Sequence, residues 1–444
     1  MKRGNHLLCA ASAAAVVLAS ASGALAQDAP AQAAPPPDPD SLTAAIAAGH
    51  LLLDIRERWE NVDQTKTATL KDDANAYTVR TQLGWETGAW NNLKGLLEFQ
   101  DVSHLGPEDY AVNAPGATTP PLNGADKARY PVVNDPDEIE LNRLQVAWQP
   151  IQDFTATVGR QRVLIDDQRF VGNVGWRQNE QTFDAARAEF AVAGFSGTYA
   201  YVERVNRVLG PSSDWNSDSH LLNLAYAAAP QLRLEGFVYA LDFSNSVINN
   251  SITEGGRVTG KAPLGPLQLA YGATYAEQKN YRSGSTPRFD LPYWDANLAA
   301  TWRMLTGKVD YEVLDGDGAR GFTTPLATTH GFNGWADAWV APGGNKSFVD
   351  GLKDLSGSLA WRPPIRARFF FNPELTAIYH DFHDEKTGAG LAHEFDALAT
   401  VSFTKQLSGL VKFADFQRNG FTPRGTATPP PSRDKVWIGF EYKL

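Results

Sequence analysis

Residues 157–190 read TVGRQRVLIDDQRFVGNVGWRQNEQTFDAARAEF, and this stretch decides the fold. An extended run ends in Arg160-Gln161-Arg162, a polar glycine-containing loop follows, and a second run begins at Phe183. In that second run Ala186, Ala188 and Phe190 fall on one face and Arg187 and Glu189 on the other, the period of two that a strand requires. A sheet in water buries its apolar face and wets the polar one. A membrane barrel uses the same pattern, with lipid against the apolar face and a wet lumen against the charges.

The spacing of the connections separates these two readings. Short connections lie near 88–92, 149–153, 193–195, 228–231, 263–266, 303–307, 362–366 and 404–406. Longer ones lie between them at 61–74, 105–137, 166–182, 206–218, 277–292, 315–354, 383–391 and 418–433, with a shorter outer turn near 244–250. A sandwich or propeller has no reason to place its long loops at every second connection. The series predicts an all-β fold: a transmembrane antiparallel β-barrel of about 18 strands, with long extracellular loops and short periplasmic turns. Trp90, Trp148, Trp302 and Trp361 lie within a few residues of short turns, where an interfacial aromatic belt falls. In the last run, Val436, Ile438, Phe440 and Tyr442 alternate with Trp437, Gly439, Glu441 and Lys443, which assigns the first set to lipid and the second to the lumen. The 315–354 connection carries GARGF and GFNGWADAWV, more aromatic surface than an idle loop needs, and is expected to fold over or into the mouth.

Composition agrees. The chain has 22 Phe, 14 Tyr, 12 Trp and 38 Gly but only 2 Met, which favours β structure over a helical bundle. Beyond Ala26 no apolar run reaches the roughly 20 residues that a membrane helix needs. Lys2 and Arg3, the apolar segment 7–18 and Ala24-Leu25-Ala26 read as a signal peptide over 1–26. Residues 27–49 read as a Pro/Ala-rich periplasmic leader ending in a short helix capped by Ser41, and 50–444 as the barrel. The single cysteine, Cys9, lies in the signal, so the mature chain needs no thiol chemistry. The formal net charge of −10 becomes more acidic once Lys2 and Arg3 are removed, which argues against a nucleic-acid partner.

The GRQ of 159–161 with DDQRFVGNVGWRQNEQTFDA (166–185), the opening LLLDIRERWENVDQ (51–64) and NAYTVRTQLGWETG (75–88) resemble the alginate-export family of bacterial outer-membrane proteins. The resemblance covers most of the chain after residue 41. It implies an eighteen-stranded barrel in the outer membrane of a Gram-negative bacterium that passes an anionic polysaccharide, with lipid around it. A chain that finishes inside an amphipathic aromatic strand also resembles the signal read by the outer-membrane assembly machinery, although Leu444 stands where a terminal Phe is more usual.

The polar strand faces carry Arg56, Arg58, Arg80, Arg143 and Arg187, and Arg160 is placed with them, although it shares parity with Phe154, Ala156 and Val158 unless a bulge intervenes. Asp54, Glu98, Glu189, Glu235, Asp310 and Glu312 share those faces. Guanidinium forks match carboxylates, so these arginines can form a ladder for a polyuronate; equally, arginine and acid can pair to tie the strands together. The expected function is a passive charge-selective channel exporting an alginate-like polysaccharide, with periplasmic polysaccharide-synthesis components as partners. The alternatives are a diffusion porin for small anions, sugars or acids, and a secreted all-β carbohydrate-active enzyme. No cofactor, metal or catalytic residue is expected. Gly316, Gly318 and Gly321 fit G-x-G-x-x-G, but no helix pattern follows to hold a pyrophosphate. Asp315 and Asp317 lack the spacing of a calcium loop, His380 and His383 fall on opposite faces of a strand, and no G-x-S-x-G occurs.

Overall fold

In a computed structural model of the chain, described over residues 41–112, 120–282, 288–341, 345–346, 348–420 and 429–444, eighteen antiparallel strands form one closed sheet. The expected signal peptide and most of the expected leader lie outside the described residues. The wall opens with β1 (His50–Gln64), β2 (Ala74–Glu86), β3 (Leu93–His104), β4 (Glu138–Ile151) and β5 (Phe154–Gln161). It continues with β6 (Thr182–Val192), β7 (Phe195–Asn206), β8 (Trp215–Ala229), β9 (Leu232–Leu241) and β10 (Ser251–Leu264). Then come β11 (Leu267–Lys279), β12 (Asp290–Trp302) and β13 (Leu305–Leu314). The two-residue strands β14 (Val340–Ala341) and β15 (Asn345–Lys346) pair only with each other, inside the connection that follows β13. The wall finishes with β16 (Leu352–Trp361), β17 (Phe371–Asp384), β18 (Gly390–Ser402), β19 (Leu407–Arg418) and β20 (Arg433–Lys443). Closure is made by β20 against β1, with Glu441 opposite Arg56 and Trp437 opposite Glu60. A closed ladder leaves no strand edge to be satisfied in hydrocarbon, which is why a barrel can span a bilayer.

Alternation sorts the side chains as the sequence predicts. Leu97, Phe99, Val158, Leu298, Val309, Leu359 and Ile438 stand exposed on the outer surface, while their strand neighbours Glu98, Gln100, Thr157, Trp437 and Lys435 are buried inside. Trp148, Trp302 and Trp361 are also exposed, at the short-turn end. The turn between β6 and β7 uses Ala193 and Gly194, both with positive φ, the twist that a two-residue hairpin needs. One pair of connections departs from the expected lengths. The inner connection 362–370 is longer than the outer connection 385–389, because Pro363, Pro364 and Pro373 cannot donate to a ladder and delay the start of β17 pairing.

The expected helix forms as α1 (Leu42–Ala47), and the Ser41 hydroxyl accepts the Ala44 N–H at 3.1 Å. It sits at the short-turn end: the Trp85 indole donates to Ile46 O at 3.0 Å and Gly88 N–H to Ala45 O at 2.9 Å. The barrel interior is filled by two connections that turn inward, 162–181 and 315–351. Val163, Ile165, Val171 and Trp176 of the first and Phe322, Leu326, Trp335 and Trp339 of the second pack with Phe183, Phe382, Phe416 and Trp437 of the wall. The G-x-G-x-x-G segment opens the second inward connection as a tight turn bridged between Gly316 and Gly321, with no α-helix after it among the described residues of that connection.

Candidate functional site: the lumen and its two inward loops

The two inward loops are joined by backbone and amide bonds. Gly172 N–H donates to Leu326 O at 2.8 Å and Thr328 N–H to Gln168 O at 3.0 Å. The Gln181 amide reaches both Gly172 O (2.9 Å) and Leu326 O (3.1 Å). From the connection after β7, Arg207 donates to Gln181 Oε1 at 2.9 Å and Pro325 O at 3.0 Å, with its guanidinium 3.9 Å from the centroid of Trp215. Burial lowers the Arg207 guanidinium to about 10, still charged at neutral pH.

Charge ties this assembly to the wall. Arg169 pairs with Glu312 of β13, and Asn333 donates to Glu312 (2.6 Å) and to Asp354 of β16 (3.1 Å). Trp335 N–H and Ala336 N–H donate to Asp396 (3.1 Å) and Glu394 (2.6 Å) of β18. Glu180 accepts from Arg162 (2.6 Å), Asn142 (2.6 Å) and Asn173 (2.8 Å). Burial by itself would raise the Glu180 carboxyl, but Arg162 and these hydrogen bonds hold it down to about 2. Burial and the neighbouring Glu235 push Asp166, in the same loop, up to about 8.

The arginines named from sequence divide by what they touch. Arg56 donates to Glu441 (3.1 Å) and to the loop carbonyl of Gly175 (3.0 Å). Arg58 pairs with Asp135 at 2.7 Å and lies over the Trp176 ring. Arg80 bridges Asp54 (2.8 Å) and Glu441 (3.0 Å), and Arg143 holds both oxygens of Glu98 at 2.7 Å. Arg187 donates to Arg162 O (3.1 Å) and pairs with Glu189 (3.2 Å). Arg160 sits elsewhere: it pairs across the sheet with Leu144 and Asp184 on the register of the outer face, at the outer end of β5, and binds Asp184 at 2.7 Å. The one register shift in the pairings of β5 lies on the β4 side, between Trp148 and Ile151, and the ladder runs in step from Ala156 to Arg160, so nothing turns Arg160 inward. Arg162, one residue beyond the strand, does reach the lumen through Glu180.

At the middle of the lumen the His330 ring stacks on Trp176 with centroids 4.4 Å apart. His330 Nδ1 lies 2.9 Å from Asp337, and its Nε2 accepts from the Lys412 ammonium at 2.6 Å. That ammonium stands 3.7 Å from the Trp335 centroid and 4.1 Å from that of Trp176. Burial holds the His330 imidazole well below its ordinary value and Lys412 acts the same way, against the opposing pull of Asp337, so the ring is neutral. Trp437 is fully buried in contact with this group, with its centroid 5.7 Å from that of Trp176. Its lumen position is therefore packed rather than wet.

His330 lines two cavities. The outer one, about 460 Å³, is walled by the long connections and the outer strand ends, including Tyr130, Arg177, Arg207, Arg433 and Lys435. The inner one, about 280 Å³, reaches toward the short turns and is lined by Asp166, Asp167, Glu235, Asp295, Asp310 and Glu312 against Arg169, Arg257, Lys308 and Lys412. The sequence did single out the aromatic 315–354 connection. Arg169, Arg177, Arg207, His330, Lys412 and Lys435 were missed. The one signal for the first inward loop was its density of side chains that both donate and accept, Gln168, Asn173, Gln178, Asn179 and Gln181, which suits a segment buried among charges.

The same barrel occurs in solved structures of low sequence identity. OccAB2 of Acinetobacter baumannii is similar with a TM-score of 0.67 at 12% identity, covering 90% of this chain and 99% of that one. OccK9 (OpdG) of Pseudomonas aeruginosa is similar with a TM-score of 0.65 at 14% identity, covering 90% and 100%. At such identities the likeness speaks for the fold alone. No curated protein matches the chain. The family described as alginate export matches residues 50–279, from the first strand through β11 and across the whole first inward loop. On that match and that barrel, this chain belongs to the alginate export family and is a channel of the Gram-negative outer membrane.

Proposed function

We propose that the channel is passive and charge-selective, and that it captures carboxylate-bearing carbohydrate at its outer cavity. The observation that carries this is the imbalance of the described residues lining that cavity: Arg177, Arg207, Arg433 and Lys435 against one acid, Asp337. A guanidinium keeps its charge and presents a planar fork to a carboxylate. Internal acids keep each contact weak enough to release, since Arg177 also reaches Glu60 at 3.1 Å and Lys435 reaches the same Glu60 at 3.1 Å. In this reading Arg56, Arg58, Arg80, Arg143 and Arg187 hold the wall and the inward loops in place and add to the field, rather than meeting the solute in turn.

Two directions of transport fit the family. Export of an alginate-like polymer would engage periplasmic polysaccharide-synthesis components. Inward passage of small uronates or acids has a specific observation in its favour: the cation-rich cavity faces outside, while the acid-rich cavity faces the periplasm and would repel a polyanion entering from there. In either direction the assembly machinery engages the closing strand β20. Proteoliposomes test the selection directly. Glucuronate is expected to enter faster than glucose, which has nearly the same size, and equal rates would remove charge selection from the account.

A further inference from the structure

We infer that Asp337 occupies a carboxylate-binding site as the chain's own stand-in for the solute. This rests on the proposed selection of carboxylates and adds the site at which it occurs. Asp337 is the one acid among the described residues lining the outer cavity, and its side chain remains 11% exposed. It receives Arg177 at 3.0 Å from the other inward loop and lies 4.0 Å from Lys435 of β20, with Arg433 lining the same cavity. Cations from two separate parts of the chain, the first inward loop and β20, therefore converge on one carboxylate that reaches them from a loop.

The attachment is built to be exchangeable. Asp337 Oδ2 makes the contacts to Arg177 and His330, while Oδ1 is buried with no hydrogen-bond partner among the described residues. The residue also sits at φ 53°, in the left-handed region, close to Asn333 at φ 51° and Gly334 at φ 84°. A non-glycine residue held there carries backbone strain, which release of the loop would relieve. A uronate carboxylate entering the outer cavity can take over Arg177 and Lys435. Asp337 then lets go of them and of His330, whose ring stacks on Trp176 at the boundary of the two cavities. Binding of the solute thus loosens the barrier in front of it.

The test compares full-length wild-type protein with Asp337→Asn in planar bilayers, with glucuronate added on the outer side. Removing the competitor is expected to tighten glucuronate block by about ten-fold, the effect of freeing one charge-assisted hydrogen bond, and Asp337→Glu is expected to restore the wild-type value. Block that is unchanged in Asp337→Asn while wild type is blocked would overturn the stand-in and leave the channel reading intact. Absence of both conductance and block in wild type would overturn the channel reading itself. Should Asp337→Asn not assemble, wild-type tryptophan fluorescence decides. A saturable change with glucuronate and none with glucose is expected from Trp176, and identical traces for the two sugars would refute displacement.

Discussion

Glu180 shows how a single side chain holds the first inward loop. Its carboxylate gathers Arg162, Asn142 and Asn173, and its folded-state value near 2 lies below the ordinary 4.5. A depressed carboxylate stabilises the folded arrangement fully above its unfolded value, and that contribution is lost as pH falls through 4.5 toward 2. Single-channel conductance is accordingly expected to stay level from neutral pH down to about 5 and to rise below it. Glu180→Gln should show the raised conductance already at pH 7 and lose this acid step. An acid step that persists in Glu180→Gln would assign it to another group. None of this was legible in the sequence, because Glu180 meets Asn142 of β4 and Arg162 at the end of β5 only after the loop has turned inward. The arginines on strand faces were legible from parity alone. The face of Arg160 was settled by the register of β5, which runs in step with both neighbours from Ala156 to Arg160.

The strands and the inward loops answer to different rules. In β20 the alternation of Ile438 and Phe440 with Trp437 and Glu441 was readable, since a period of two is all it requires. Ile438 is 39% exposed on the outer face, and an aspartate there should cost up to about 2 kcal/mol in the bilayer. Ile438→Asp is expected to lower the amount of heat-modifiable barrel recovered from the outer membrane, whereas Ile438→Val should leave it unchanged. Equal recovery of both variants would mean that the outer face of this strand has been misassigned. The second inward loop packs its aromatics into the lumen, and its contacts to Asp354, Glu394 and Asp396 join residues far apart in sequence with no periodic signal. Replacing residues 324–338 by a short Gly/Ser linker should raise conductance several-fold while the barrel still assembles, because the wall closes through β13 and β16 without the loop. Unchanged conductance would show that the path lies elsewhere.

For the molecule as a whole, fold and localisation follow from closure and alternation, and both were legible because loop lengths and strand parity are local properties of a sequence. The division of the lumen into a cation-rich outer cavity and an acid-rich inner one was not, because each cavity draws its lining from strands and loops spread along the chain. In the proposed function this polarity selects carboxylates from the outside. It is tested most directly by single-channel recording with short uronate oligomers added first to one side of the bilayer and then to the other. Reversible block is expected at a concentration about ten-fold lower from the long-loop side than from the short-turn side, and Arg177→Gln should abolish the difference. Equal block from both sides, or no block from either, would contradict it.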